Sequence, residues 1–163
     1  MRGIFAAATG ALLAAGLPAL AAHAELSADT ARAAVAPFYK ALNAEFTKDS
    51  ADLIRQATAP EWTSCGGNDV CNSRDEVIAG IAGRLKSVPD LKWEIKEILA
   101  SGNQVTVRGE ATGTPSGEFF GTPHSGKSFK IMSIDVHTIE GGKMVRSYHI
   151  ENWIGAVRQL GAK

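Results

Sequence analysis

The chain has 163 residues, the size of one domain with a real core and room for a pocket. Its 17 basic and 17 acidic residues cancel, which argues against nucleic acid or an anionic membrane surface as the main partner. The two cysteines have no nearby histidine or second cysteine pair, so they do not make a zinc site.

The first segment reads as a leader. Arg2 supplies a positive start, Ile4 to Leu20 is an apolar run rich in Ala and Leu, and Ala22-His23-Ala24 has the small-x-small pattern of a cleavage site. Residues 1–24 are expected to be a secretory signal peptide, leaving a single domain over residues 25–163. An uncleaved anchor is the alternative, but the run is short and broken by Gly16 and Pro18. No later stretch is apolar enough to span a bilayer, so the expectation is a soluble secreted or periplasmic protein with no membrane contact after cleavage.

Ser27 is a candidate N-cap for a first helix, in which Val35, Phe38, Leu42 and Phe46 recur at helical spacing. Pro37 falls inside that pattern and is expected to kink it. Asp49 restarts the chain as a short helix carrying Leu53, Ile54 and Ala57, which Ala59-Pro60-Glu61-Trp62 ends. Cys65 and Cys71 then bracket an exposed Gly-rich loop, and in an oxidising compartment this pair reads as a disulfide. A redox-active pair is disfavoured because the spacing is not Cys-x-x-Cys.

Ser73 and Glu76 form a capping-box pattern for a third helix, with Val77, Ile78, Ile81 and Leu85 on one side and Val88-Pro89-Asp90 as its stop. From there the period changes to two. Leu91, Trp93 and Ile95 alternate with charged residues, Ser101-Gly102-Asn103 turns the chain, and Val105 and Val107 alternate on the way back. Thr112 to Gly126 is rich in Gly, Thr, Ser and Pro. It is expected to form a short edge strand and a loop over a pocket mouth. Trp153 to Leu160 closes the chain as a helix.

Before that helix comes a hairpin, the stretch Lys127 to Trp153, turning at Gly141-Gly142. A two-residue loop there pairs Ile139 with Met144, His137 with Arg146, Asp135 with Tyr148, Ser133 with Ile150 and Ile131 with Asn152. Asp135, His137, Arg146, Tyr148 and Asn152 then share one face, and Ser147, His149 and Glu151 take the other. A bulge near the strand end would instead turn Glu151 inward. The element order, helices followed by consecutive antiparallel strands, predicts an α+β fold with helices covering one face of a curved sheet.

Several blocks, in order, resemble a known family. They are Ala59-Pro60-Glu61-Trp62, Val88-Pro89-Asp90-Leu91-Lys92-Trp93, Thr112-Gly113-Thr114, Gly117-Glu118-Phe119-Phe120-Gly121, Ile134-Asp135-Val136-His137, Gly142-Lys143-Met144-Val145, Asn152-Trp153-Ile154-Gly155 and Arg158-Gln159-Leu160-Gly161. Together they are similar to the SnoaL-like polyketide cyclase, or ester cyclase, family. The resemblance implies the cone-shaped fold of the nuclear transport factor 2-like superfamily: three helices on a strongly bent antiparallel sheet around an apolar cavity, often as a homodimer. Members that resemble the founding cyclase close a ring by intramolecular aldol chemistry without metal or cofactor, using a carboxylate on the last strand with a histidine nearby.

Such chemistry needs a base for a proton alpha to a carbonyl and an acid for the developing alkoxide. A carboxylate in an apolar cavity suits it, because desolvation raises its pKa towards neutrality. Asp135 and His137 match the family's Asp-x-His block and are the first catalytic candidates, with Glu151 the third. Arg146, Tyr148, Asn152, Trp62 and Phe119 are candidate substrate contacts. The structural alternative is an ion pair of Asp135 with Arg146, satisfied by His137. Where many relatives carry Glu-Asp-Trp this chain has Glu151-Asn152-Trp153, and an amide does not exchange a proton at neutral pH. His149 is expected on the outer face and His124 in solvent. Two functions remain open: a cofactor-independent cyclase or isomerase, and an exported module that binds an apolar or aromatic small molecule unchanged. A stable dimer with a vestigial cavity is the plainest reading.

Overall fold

The computed structural model describes residues 25–161; the leader read at residues 1–24 lies outside them. Helix α1 spans Ala28–Ala41, and its first turn is capped by the Ser27 hydroxyl, which accepts from the Thr30 N–H at 3.2 Å. Pro37 does not break it. The ring removes the amide that would bond the Ala33 carbonyl, but Ala33 is exposed, where water can satisfy that oxygen. The helix stops at Leu42, and Phe46, expected on the same helical stripe, belongs to a separate 3₁₀ turn, Ala44–Phe46, with Lys40 over its ring.

Helix α2 is Ser50–Ala57 and α3 is Arg74–Ser87. The capping box at the start of α3 is complete: the Glu76 N–H donates to the Ser73 hydroxyl, and the Ser73 N–H donates to the Glu76 carboxylate at 2.8 Å. Helix α4, Trp153–Gly161, closes the chain. No helix among the described residues is long and apolar enough to cross a membrane.

Six strands form one sheet: β1 Thr58–Cys65, β2 Cys71–Ser73, β3 Lys92–Ser101, β4 Gln104–Gly113, β5 Phe129–Glu140 and β6 Lys143–Glu151. Their order is β2-β1-β6-β5-β4-β3, and the sheet is not closed. It is also mixed, where uniform antiparallel pairing was expected, because β1 runs parallel to β6. The stretch expected merely to end α2 is therefore a strand. Cys65 and Cys71 face each other across β1 and β2 and form the disulfide. Between Gly113 and Phe129 no strand forms among the described residues, only a single bridge between Phe119 and Thr122.

The core lies between α1 to α3 and the inward face of the sheet, with Val35, Phe38, Ile54, Trp62, Val105, Val107 and Met144 buried. Burying a side chain of this size contributes roughly 1.5–3 kcal/mol each. Gly109 on β4 permits one close approach. A Cβ there would lie 2.8 Å from the Trp93 indole nitrogen and 2.6 Å from the Ser133 hydroxyl, so the missing side chain lets the Trp93 indole approach the strand closely.

Candidate active site

The β5–β6 hairpin positions the site, and one bulge decides its chemistry. Gly141 and Gly142 both have positive φ, 55° and 77°, as a type I′ two-residue turn demands. Ile139 pairs with Met144 as expected. Val145 is then an extra residue on β6, and Thr138 pairs with Arg146. Every later pair is displaced by one: His137 faces Ser147, Asp135 faces His149 and Ser133 faces Glu151. Because side chains alternate, a one-residue slip exchanges the two faces of β6.

The expected inner face is corrected accordingly. Arg146 and Tyr148 point outward and are exposed, so the structural alternative of an Asp135–Arg146 pair is absent among the ion pairs of the described residues. Asn152 is exposed and caps α4, its side-chain oxygen accepting from the Gly155 N–H at 2.9 Å. Glu151, not Asn152, turns inward. Ser147 and His149, expected outside, line the cavity.

That cavity measures about 280 Å³ and lies between α3, the inner face of β5 and β6, and the start of α4. Phe38, Leu42, Val77, Ile81, Leu91 and Trp93 supply apolar wall, while Asp135, His137, Ser147, His149 and Glu151 concentrate polar groups on the strand side. Trp62 and Phe119 stand one layer behind. Trp62 is buried and donates its indole N–H to Ser147, and Phe119 stacks on Phe129 and meets Trp153 edge to face.

The deep half is a chain of hydrogen bonds with a fixed direction. Trp62 can only donate, so its Nε1–H occupies a lone pair of the Ser147 hydroxyl at 2.9 Å. With Asp135 ionised, the Ser147 proton goes to His137 Nδ1 at 2.7 Å, and His137 Nε2–H donates to the Tyr39 oxygen at 2.9 Å. The Tyr39 O–H donates to Asp135 Oδ2 at 2.9 Å, and the Ser133 hydroxyl reaches the same oxygen at 3.3 Å. Each of these groups has a partner, as buried polar groups require. No protein hydrogen bond among the described residues reaches Asp135 Oδ1, the oxygen left for a ligand.

Burial sets the protonation states. It pushes the Asp135 carboxyl up to about 7, the nearby Glu151 charge adding to the rise, while the Tyr39 hydrogen bond and the His149 charge oppose it. His137 is driven down to about 3 by burial, with the His149 charge contributing, and is a neutral imidazole at physiological pH. Tyr39 is raised well above its usual value by burial and by Asp135, so it keeps its proton. His149 goes the other way: its Nδ1 lies 2.8 Å from Glu151 Oε1, and that bond raises its pKa and favours the imidazolium. The second Glu151 oxygen accepts from the Trp153 indole at 3.2 Å.

Donor atoms of Asp135, His149 and Glu151 lie within 4.8 Å of one another, a spacing at which three side chains could hold a metal ion. In this structure Glu151 and His149 bond each other and Asp135 bonds Tyr39. His149 and Glu151 are thus a hydrogen-bonded pair, with Asp135 beside them.

Of the sequence-based candidates, Asp135, His137 and Glu151 are brought to one cavity. Tyr39, Ser147 and His149 were not among them. Tyr39 was findable, since it falls four residues after Val35 on the apolar stripe of α1 and carries the only hydroxyl there. His124 is exposed, as expected.

A family model described as SnoaL-like polyketide cyclase matches residues 33–160. Solved structures with the same fold include a protein named a candidate SnoaL-like polyketide cyclase from Jannaschia sp. CCS1, 18% identical, covering 83% of this chain and 94% of that one at a TM-score of 0.70. IdmH of Streptomyces antibioticus, named a candidate polyketide cyclase, is 23% identical over 81% of this chain and 99% of its own, with a TM-score of 0.70. AclR of Streptomyces galilaeus, named a candidate hydroxylase, is 25% identical over 84% and 99%, also at 0.70. Comparison with curated proteins finds no match.

Proposed function

The chain belongs to the SnoaL-like polyketide cyclase family, and from that premise we propose that it is a cofactor-independent acid–base enzyme of the cyclase or isomerase type, acting on a carbonyl-bearing apolar small molecule. The observation that carries this reading is Asp135: a carboxyl with pKa near 7, buried beside an apolar cavity, one oxygen fixed by Tyr39 and Ser133 and the other not bonded by the protein. A base acts best when its pKa lies near the working pH.

In the cyclase form, Asp135 Oδ1 takes the proton from a carbon alpha to a carbonyl, and the C–H electron pair becomes the enolate. The enolate carbon bonds to a second carbonyl carbon of the same molecule, and the resulting alkoxide takes a proton from the His149 imidazolium. Asp135 then returns its proton to His149 through one intervening water, the two groups lying within 4.8 Å of each other. In the isomerase form Asp135 returns the proton to another carbon. Glu151 keeps His149 charged, and Tyr39 with His137 orients the base. His137 itself, with a pKa near 3, is a positioning group.

An exported location, secreted or periplasmic, is supported by the leader pattern in residues 1–24 and by the Cys65–Cys71 disulfide. A homodimer is supported by the outer face of β5 and β6, where Met132, Ile134, Tyr148 and Ile150 form an exposed apolar patch. The test of the enzyme reading is to identify ligands carried by the purified protein by native mass spectrometry, then to follow their conversion. Turnover by wild type that collapses in Asp135→Asn supports it. Ligands recovered unchanged, and equal behaviour of wild type and variant, leave only a binding module.

A further inference from the structure

Arg84, in the last turn of α3, lines the cavity from the side opposite the hairpin. Its guanidinium carbon sits 4.5 Å from the Trp153 ring centre, 4.8 Å from Phe120 and 5.2 Å from Phe119. Among the described residues no carboxylate or carbonyl of the protein hydrogen-bonds to this guanidinium or pairs with it. The one carboxylate near enough to affect it is Glu151, and both Glu151 oxygens are committed, to His149 and to Trp153.

The guanidinium is half-buried, its nitrogens still reach solvent, and three rings lie against it. Phe120 holds a left-handed backbone conformation, φ 47°, and leaves its ring 56% exposed at the rim. For a bulky residue that backbone is strained, and what it secures is the ring against Arg84. Stacking uses the face of the guanidinium and leaves its edge, a planar fork that fits a carboxylate.

Glu151, the carboxylate whose charge reaches Arg84, disfavours a ligand that carries more than one negative charge.

We propose that Arg84 is a carboxylate-binding residue and that the cavity takes an apolar, ring-bearing monocarboxylic acid, held by its carboxylate at Arg84 with its body against Trp93, Trp153 and Phe38. This assignment names the substrate class for the acid–base site and rests on that cavity being the site. The probes are 2-naphthoate and its neutral isostere 2-naphthamide, titrated calorimetrically into the mature protein. The acid binds about tenfold or more tightly than the amide. Arg84→Met removes that preference while leaving the amide within about twofold of its wild-type affinity, and Arg84→Lys, which keeps the charge without the fork, retains part of it.

Equal binding of acid and amide to the wild type overturns the proposal, and this comparison needs no variant to fold. Persistence of the acid preference in folded Arg84→Met overturns it as well, and so does failure of both probes to bind at millimolar concentration. The same pair titrated into Asp135→Asn separates this inference from the enzyme reading. The acid preference survives there if Arg84 carries it, whether or not the wild type turns anything over, and its disappearance counts against Arg84.

Discussion

The two ends of the cavity both draw on β6 and behave oppositely. At the deep end, Trp62, Ser147, His137, Tyr39 and Asp135 are joined in one hydrogen-bonded series, and burial favours the neutral form of each member that titrates. Towards α4, His149, Glu151 and Arg84 remain the charged groups, the first two as an ion pair. His137 and His149 show the contrast within one residue type. His137 is driven below its usual range by burial, and His149 is raised by a carboxylate at 2.8 Å. Depth sorts neutral from charged groups, and Asp135 stands at the join, near the pKa at which a small change in surroundings decides its state.

The largest expected effect comes from abolishing that join. Asp135→Asn keeps the shape and removes the base, and turnover of a cavity ligand is expected to fall by roughly 10²–10⁴-fold in steady-state kinetics, with binding retained. Breaking the neutral end comes next. Tyr39→Phe leaves His137 Nε2–H and the Asp135 oxygen without their shared partner, and should cost about 1–3 kcal/mol in denaturant unfolding. Cys71→Ser opens a short loop, and the entropy of closing it predicts a loss of about 2 kcal/mol, read as a lower denaturation midpoint.

A smaller but more diagnostic effect lies in the pH dependence of stability. Asp135, raised from 3.8 to about 7, binds its proton more tightly in the folded state, so its contribution is full below about 3.8 and is lost as pH rises to 7. His137, lowered from 6.5 to about 3, contributes fully above 6.5 and loses that contribution as pH falls. Between about 4 and 6.5 the two oppose each other, each on the order of a few kcal/mol, and the wild-type profile there should be shallow. His149, raised by Glu151, adds a loss above 6.5. Asp135→Asn exposes the His137 slope, and stability should then fall steeply on acidification. A shallow profile in that variant would contradict the neutral, buried state of His137. The smallest effect belongs to the outer face: Ile150→Ser should change monomer stability by no more than about 0.5 kcal/mol while dissociating a dimer that uses that patch, as sedimentation would show.

Local chemistry made much of the fold legible. Ser27, and Ser73 with Glu76, mark helix starts through caps that need only a few neighbouring residues, and Gly141-Gly142 marks its turn through backbone freedom alone. Asp135 and His137 were placed on the correct face because β5 alternates without interruption. The partner strand was not readable in this way, because its bulge at Val145 adds one residue without a turn signal, and every facing beyond it inverts. That exchange hid Ser147 and His149 and brought forward Arg146 and Tyr148. Strand β1 was missed for a related reason. Its burial does not alternate, Pro60 interrupts it, and its pairing with β6 is parallel and distant in sequence, so no local period announces it. Arg84 carries no local signal in the sequence, because Phe119, Phe120 and Trp153 meet it only in the fold.

Titration of the Asp135 side-chain carboxyl by carbon-13 NMR, in protein labelled at aspartate and assigned with Asp135→Asn, tests the central claim most directly. The structure predicts a midpoint near 7, with His137 remaining neutral throughout the same titration. A midpoint near 4, the ordinary value for an exposed aspartate, would contradict it and remove the base on which the proposed chemistry depends.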